Sequence, residues 1–278
     1  MTRTRLVLLG TGSPNLFPDR YQSSLAILVD DMPYIVDCGG GTIQRIAAAY
    51  GQLQLDALEF TKLTRLFITH LHPDHTVGLA DFMIAPWVKH RTEPLHIFGP
   101  AGTQKMASLL LEAHQIGIHE HLYGSAPIDE PLEITITDIA AGQIYQDDKV
   151  RVIAFRVQHG SLTAFGYKFY TPDKTIVVSG DTCFVPEMIE QAQGCDILVH
   201  EVYSSAQLPQ RPAGWQQYHS TVHTGTIDLA RIANAAQPGK LVLTHQLFWG
   251  DSPESLLDEM QTLYSGTIIN GHDLMIIE

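Results

Sequence analysis

The segment His70-Leu71-His72-Pro73-Asp74-His75 places four side chains with metal-binding atoms inside six residues. Imidazole and carboxylate are the usual ligands of zinc and the neighbouring transition metals. With 14 histidines in 278 residues, an HxHxDH match by composition alone is expected on the order of 10⁻³ times. A polar turn that happens to be His-rich is therefore a poor explanation. Three further candidates stand alone: His159 in Val157-Gln158-His159-Gly160, Asp181 in Ser179-Gly180-Asp181, and His245 after Leu243-Thr244. Each follows an apolar, strand-like run, so each is expected at a sheet edge where a site can be lined. His119 and His121 flank Glu120 in what reads as a polar loop. His90, His96 and His114 read as surface or packing residues.

The elements that must position these groups follow from the apolar pattern. Arg5 to Leu9, Leu25 to Val29 and Tyr34 to Val36 read as strands of a meander. Thr42 to Tyr50, followed by Gly51, reads as a helix with a glycine terminus. A strand at Arg65 to Ile68 leads into the histidine-rich segment, where Pro73 helps force the turn. A helix after His75, a strand at Leu95 to Phe98 and a helix aligning Met106, Leu109, Leu110 and Ala113 complete a first half. The second half repeats the plan. Strands at Ile134 to Ile136, Val150 to Val157, Phe165 to Tyr170 and Thr175 to Val178 precede strands at Ile197 to Val199 and Leu241 to Leu243. Helices carrying Leu229, Ile232, Ala233 and Ala236, then Leu256, Met260 and Leu263, alternate with these. Two sheets face to face with helices on both outer faces would bury every such stripe, so the expected fold is a four-layer αββα sandwich forming one domain over residues 1–278.

Composition narrows the function classes. Thirty acids against 17 bases give a formal net charge of -13, which opposes non-specific attraction to nucleic acid phosphates. The apolar run Leu6 to Leu9 ends at Gly10, short of a signal-peptide core, and no stretch approaches the roughly 18 apolar residues of a membrane span. Cys38, Cys183 and Cys195 form no CxxC spacing, which suits structural thiols in a reducing compartment. A cytoplasmic protein without membrane association is expected. Gly10, Gly12 and Gly39 to Gly41 match no phosphate-cradling motif, and tight turning beneath the histidine segment is their expected role.

The sequence resembles the metallo-β-lactamase superfamily, whose signature is HxHxDH after a strand, and within it the ribonuclease Z branch. Leu9-Gly10-Thr11-Gly12-Ser13 with Ser23-Ser24, Asp37-Cys38-Gly39-Gly40-Gly41-Thr42, Ser179-Gly180-Asp181-Thr182, His200-Glu201, His219-Ser220-Thr221 and Leu243-Thr244-His245 are similar to that branch's motifs, in the same order. The resemblance implies a metal-dependent hydrolase with two divalent ions, zinc first and manganese or iron as alternatives. One ion would be held by His70, His72 and His159 and the other by Asp74, His75 and His245, with Asp181 bridging. Two such ions lower the pKa of a shared water enough to supply hydroxide near neutrality. Asp74 would aim that nucleophile, and Glu201 with His219 would form a carboxylate-oriented histidine that delivers a proton to the leaving group. Asp37 would buttress the metal loop rather than bind metal.

Two departures shape the substrate expectation. The long Gly/Pro-rich basic arm that this branch inserts for tRNA is missing, since only Tyr170 to Lys174 separates the strand at Phe165 from Thr175 onward. Beyond His245 stands Gln246-Leu247-Phe248-Trp249, which implies an apolar pocket wall. The expected activity is a phosphodiesterase acting on a small-molecule ester, with tRNA disfavoured. An aryl sulfatase or lactonase, or a tRNA 3′-processing endoribonuclease, is the alternative. The branch is commonly dimeric, so a homodimer is the assembly it implies.

Overall fold

The computed structural model describes residues 3–125 and 127–278. The chain divides into two compact units, one running through Gly10 and then Pro14–Ile139 with Asp273–Glu278, the other made of Thr11–Ser13 and Ala140–His272. In the first, β1 (Thr4–Gly10), β2 (Ser24–Val29), β3 (Met32–Val36), β4 (Arg65–Phe67), β5 (Leu95–Gly99) and β6 (Ile134–Asp138) lie side by side in that order. The pairs from β1 to β3 are antiparallel and those from β3 to β6 parallel. Every residue of β2 is buried, which is what a continuous Ser-Leu-Ala-Ile-Leu-Val run gives when both faces of a central strand are covered. Helices Thr42–Gln52, Leu79–Val88 and Thr103–Ala113 supply part of that cover, with Ile43, Ile46, Phe82, Met83 and Ala107 in the same core as Val7, Leu28 and Ile97.

The second unit repeats the plan with β7 (Gly142–Gln146), β8 (Arg151–His159), β9 (Leu162–Tyr170), β10 (Thr175–Val178), β11 (Ile197–Tyr203), β12 (Lys240–Leu247) and β13 (Ile268–Asn270), again adjacent in sequence order. The strands are antiparallel through β10 and parallel from β10 to β13. Leu229, Ile232, Ala233 and Ala236 of helix Thr226–Ala236 and Leu256 and Met260 of helix Pro253–Leu263 enter its core. Each fully buried Leu, Ile or Met of this set stabilises by roughly 1.5–3 kcal/mol. The chain then returns to the first sheet as β14 (Ile276–Ile277), antiparallel to β1. In both units the parallel strands feed loops at their C-terminal ends, where open α/β sheets place their ligands.

Four local readings change. The strand at Ile134 belongs to the first sheet, paired to β5, because a parallel neighbour far along the chain leaves no local signal. Gly51 lies inside helix Thr42–Gln52 rather than ending it. His119 and His121 sit in a helix, Gln115–Tyr123, not in a loop. A further helix, Ala213–Val222, carries His219; its Gln, Tyr and His content gives no apolar stripe to read. Among the described residues no helix is long and apolar enough to cross a membrane.

Candidate metal centre

In the first unit the chain leaves β4 through Thr69, and a single turn of helix, Pro73–Thr76, carries Asp74 and His75. Asp37 organises this loop from the end of β3. One carboxylate oxygen accepts from the Thr69 amide at 2.8 Å, and the other lies 2.7 Å from His75 Nδ1 and accepts from Thr69 Oγ1 at 2.9 Å. Anchoring Nδ1 fixes the ring orientation and leaves Nε2 as the ligand atom, the usual carboxylate–histidine device behind a metal. Asp37 adopts φ 58°, a left-handed conformation uncommon for a residue with a side chain, and its amide donates to Phe67 O. The Cys38 amide donates to His75 O and the Gly78 amide to Cys38 O, so the turn is pinned on both sides. A Cβ at Gly39 would stand 2.2 Å from the Asp74 carbonyl, which is why the run beneath the loop needs glycine. His70, Asp74 and His75 are buried and His72 is half-buried. His75 Nε2 lies 3.6 Å from Asp74 Oδ2.

In the second unit the groups arrive separately. His159 ends β8 at a two-residue hairpin, and its Nδ1 is held 2.6 Å from Val222 O. Asp181 follows β10 through Gly180 at φ 60°. Glu201 lies on β11. His245 is the extra residue of a bulge in β12, since Glu201 pairs with Thr244 and Val202 with Gln246. It takes φ 45°. The bulge is what turns a strand side chain out of register and toward Asp181. Asp181 Oδ2 lies 3.4 Å from His245 Nε2 and 3.9 Å from His159 Nε2. These spacings exceed hydrogen-bond length and suit donors arranged around a cation. The donor chemistry of both halves, imidazole with carboxylate and Nδ1 anchored from behind at His75 and His159, fits divalent metal ions.

Glu201 bonds a histidine other than the one expected. His223 Nδ1 stands 2.8 and 3.0 Å from its two oxygens, and the Thr182 amide donates to Oε1 at 2.7 Å. His219 sits one helical turn earlier, its ring 5.6 Å from that of His223. Its Nδ1 has no hydrogen-bond partner among the described residues, and burial, with His223 and Arg211 adding to it, lowers its pKa to about 4. The sequence-expected pairing of Glu201 with His219 therefore gives way to Glu201 with His223. His219 ends up inside helix Ala213–Val222, while His223 caps it in extended backbone at φ -131° and ψ 165°. The available signal was position. His223-Thr224-Gly225-Thr226 directly precedes the apolar-striped helix at Leu229, where a loop residue is free to enter a site. Asp181, Glu201, His223 and His245 offer ligand atoms all within 4.8 Å of one another. Both Glu201 oxygens are already engaged, by His223 and the Thr182 amide.

The neighbours of this cluster are structural. His200 is wholly buried, with Nδ1 2.7 Å from Glu201 O, and burial lowers its pKa to about 4. Gln246 donates to Leu243 O and Asn270 Oδ1. Phe248 is buried in the core rather than forming a pocket wall, and Trp249 alone of that pair reaches the aromatic groups around His219. His121 packs edge-on against Trp87 and His119 against Tyr123. All three cysteines are free thiols, Cys38 and Cys195 buried.

A family model described as Beta-lactamase superfamily domain matches residues 34–246. The Ribonuclease Z of Mycobacterium bovis is 31% identical over 283 residues, covering 98% of this chain and 97% of that protein. That of Mycobacterium avium is 31% identical over 248 residues, covering 86% and 85%. Among solved structures, the metallo-β-lactamase fold protein YhfI of Bacillus subtilis superposes with a TM-score of 0.75 at 18% identity, covering 99% of this chain and 98% of that one. Human tRNase Z, short form, superposes with a TM-score of 0.73 at 21% identity over the same shares. A diphosphatase from the PhnP family gives 0.68 at 17%.

Proposed function

Since the chain belongs to the metallo-β-lactamase superfamily, in its ribonuclease Z-like branch, and is a metal-dependent hydrolase, we propose that it cleaves phosphodiesters and that Glu201 and His223 deliver the proton to the leaving group. The ligand assignment implied by the sequence is carried forward in this proposal: His70, His72 and His159 on one ion, Asp74, His75 and His245 on the other, Asp181 to both, with zinc as the metal and residues 1–278 acting as one hydrolase domain. When bound, the ions supply Lewis acidity and an activated water. Asp74 orients that water and accepts its hydrogen bond. Glu201 holds His223 Nδ1 through both oxygens, which fixes the ring and aims Nε2 as the acid. Breaking the phosphorus–oxygen bond leaves an alkoxide, and the His223 proton neutralises it.

The observation that carries this reading is the double contact between Glu201 and His223, which fixes the ring through Nδ1 and leaves Nε2 to act. A small diester is the proposed substrate, on the net charge of -13. The missing arm no longer separates this chain from tRNA processing, because the alignment with the Mycobacterium bovis protein spans almost all of both chains and leaves no room for a long insertion in either. Relatives of this length that carry the name Ribonuclease Z favour tRNA precursor cleavage as the second reading. Side-by-side kinetics on bis-nitrophenyl phosphate and a tRNA precursor, across a salt series, tests the choice. The small-diester reading requires the higher kcat/KM on the nitrophenyl diester and weak salt dependence. Preferred 3′ cleavage of the precursor, steeply weakened by salt, establishes the second reading instead.

A further inference from the structure

Helix Ala213–Val222, Arg211 ahead of it, Tyr203 at the end of β11 and Trp249 after β12 bring together six residues that the reaction above does not use. The His219 ring lies 5.6 Å from Trp215 at 24°, a stacked arrangement, and 4.6 Å from Trp249 and 5.2 Å from Tyr218 at steeper angles. Tyr203 stacks on Trp249 at 5.3 Å. The Arg211 guanidinium stands 5.7 Å from the Trp249 ring centre. Trp249 reaches this place from a left-handed backbone at φ 51°, a conformation that a bulky residue rarely adopts.

Two features separate this cluster from an ordinary aromatic core. Trp215 and Tyr218 are 51% and 42% exposed, so ring faces remain open beside a buried histidine. His219 is only 8% exposed, and among the described residues neither its Nδ1 nor Arg211 Nε has a hydrogen-bond partner. Buried polar atoms are rarely left so without a purpose. The open rings offer faces, and the His219 imidazole and Arg211 guanidinium beside them are the polar groups that a ligand's edge would meet. The His219 ring is also in contact range of the His223 ring, at 5.6 Å between centres, which puts the cluster beside the proposed proton donor.

We propose that this cluster binds a planar heteroaromatic ring carried by the substrate, a purine or pyrimidine in shape and polarity, stacked on Trp215 with its edge hydrogen-bonded to His219 and Arg211. The inference rests on the phosphodiesterase reading for the position of the scissile bond. It assigns His219 to recognition rather than to proton transfer.

The chain carries three tryptophans, and two of them, Trp215 and Trp249, belong to the cluster. The third, Trp87, is fully buried in the first unit with its Nε1 donating to Glu130 O, so it provides a constant background. Tryptophan fluorescence of the metal-loaded, full-length protein is titrated with adenosine 5′-monophosphate, phenyl phosphate and ribose 5-phosphate. The nucleotide is expected to quench and to bind about tenfold more tightly than the ribose phosphate, with Trp215→Leu removing about that factor. Phenyl phosphate falls between, and His219→Ala brings the nucleotide down to its level. Equal affinities for the nucleotide and ribose phosphate overturn the proposal, as does a Trp215→Leu variant with wild-type nucleotide affinity. Equal binding of the nucleotide and phenyl phosphate by the wild type overturns the role of the polar edge. Metal-dependent hydrolysis of bis-nitrophenyl phosphate, run in parallel, reports the phosphodiesterase reading separately: its loss with nucleotide binding intact sinks that reading and sustains the ring-binding cluster.

Discussion

The first unit brings its four candidate ligands from one six-residue stretch, and the second brings His159, Asp181 and His245 from three strands and their ends. The contiguous half depends on one buttress, Asp37, which holds both Thr69 and His75. The dispersed half depends on the sheet itself, through the hairpin after β8, the Gly180 turn and the bulge at His245. A local loop can be held by a single carboxylate. Residues far apart in sequence must be placed by strand register, and small irregularities in that register do the aiming.

The largest break in this comparison is expected at Asp181, the carboxylate on which His159 and His245 converge. Asp181→Ala should reduce hydrolysis to background and lower the bound metal below the wild-type level, as read by elemental analysis. A variant that keeps full metal content and near-normal turnover removes Asp181 from the centre. In the contiguous half, Asp37→Asn keeps the shape of the side chain but not its charge, and should weaken metal binding by about 10–100-fold while the protein stays folded. Competition against a chelator measures it, and an unchanged affinity would leave Asp37 a purely structural tie.

A smaller effect sharpens the account of the dispersed half. His200 is buried and neutral, with a pKa of about 4. The unfolded chain takes up its proton first as pH falls below 6.5, so the stability this histidine contributes is complete above 6.5 and is lost on the way down to 4. The full loss is about 3 kcal/mol. His200→Asn, whose amide can still donate to Glu201 O, should flatten this part of the profile. Thermal melts of both metal-stripped proteins from pH 7 to 4 check it; parallel curves would show that His200 does not titrate in this window.

The fold was legible because a short continuous apolar run marks a strand such as Leu25 to Val29 and a helical spacing of apolar residues marks a helix such as that of Leu229 and Ile232. The HxHxDH loop was legible because its chemistry is contiguous. What sequence missed traces to two physical causes. Helix Ala213–Val222 has a polar, aromatic composition and no apolar stripe, so nothing local in the sequence places His219 inside a helix and His223 at its end, against Glu201. The bulge at His245 is a register event between β11 and β12 that no local pattern encodes. Phe248 and Trp249 looked alike as apolar residues, yet one joins the core and the other the aromatic cluster, because the chain leaves β12 at Leu247 and turns through a left-handed backbone at Trp249.

The assignment of proton delivery to His223, with His219 in recognition, is tested most directly by leaving-group dependence. kcat is measured for wild type, His223→Ala and His219→Ala across phosphodiesters whose leaving groups run from nitrophenol to unactivated alcohol, with metal content confirmed for each. The account predicts a steeper dependence for His223→Ala, reaching a loss of about 10²–10⁴-fold on the poorest leaving group, and a wild-type slope for His219→Ala. A steepened slope in His219→Ala beside a wild-type slope in His223→Ala would contradict it.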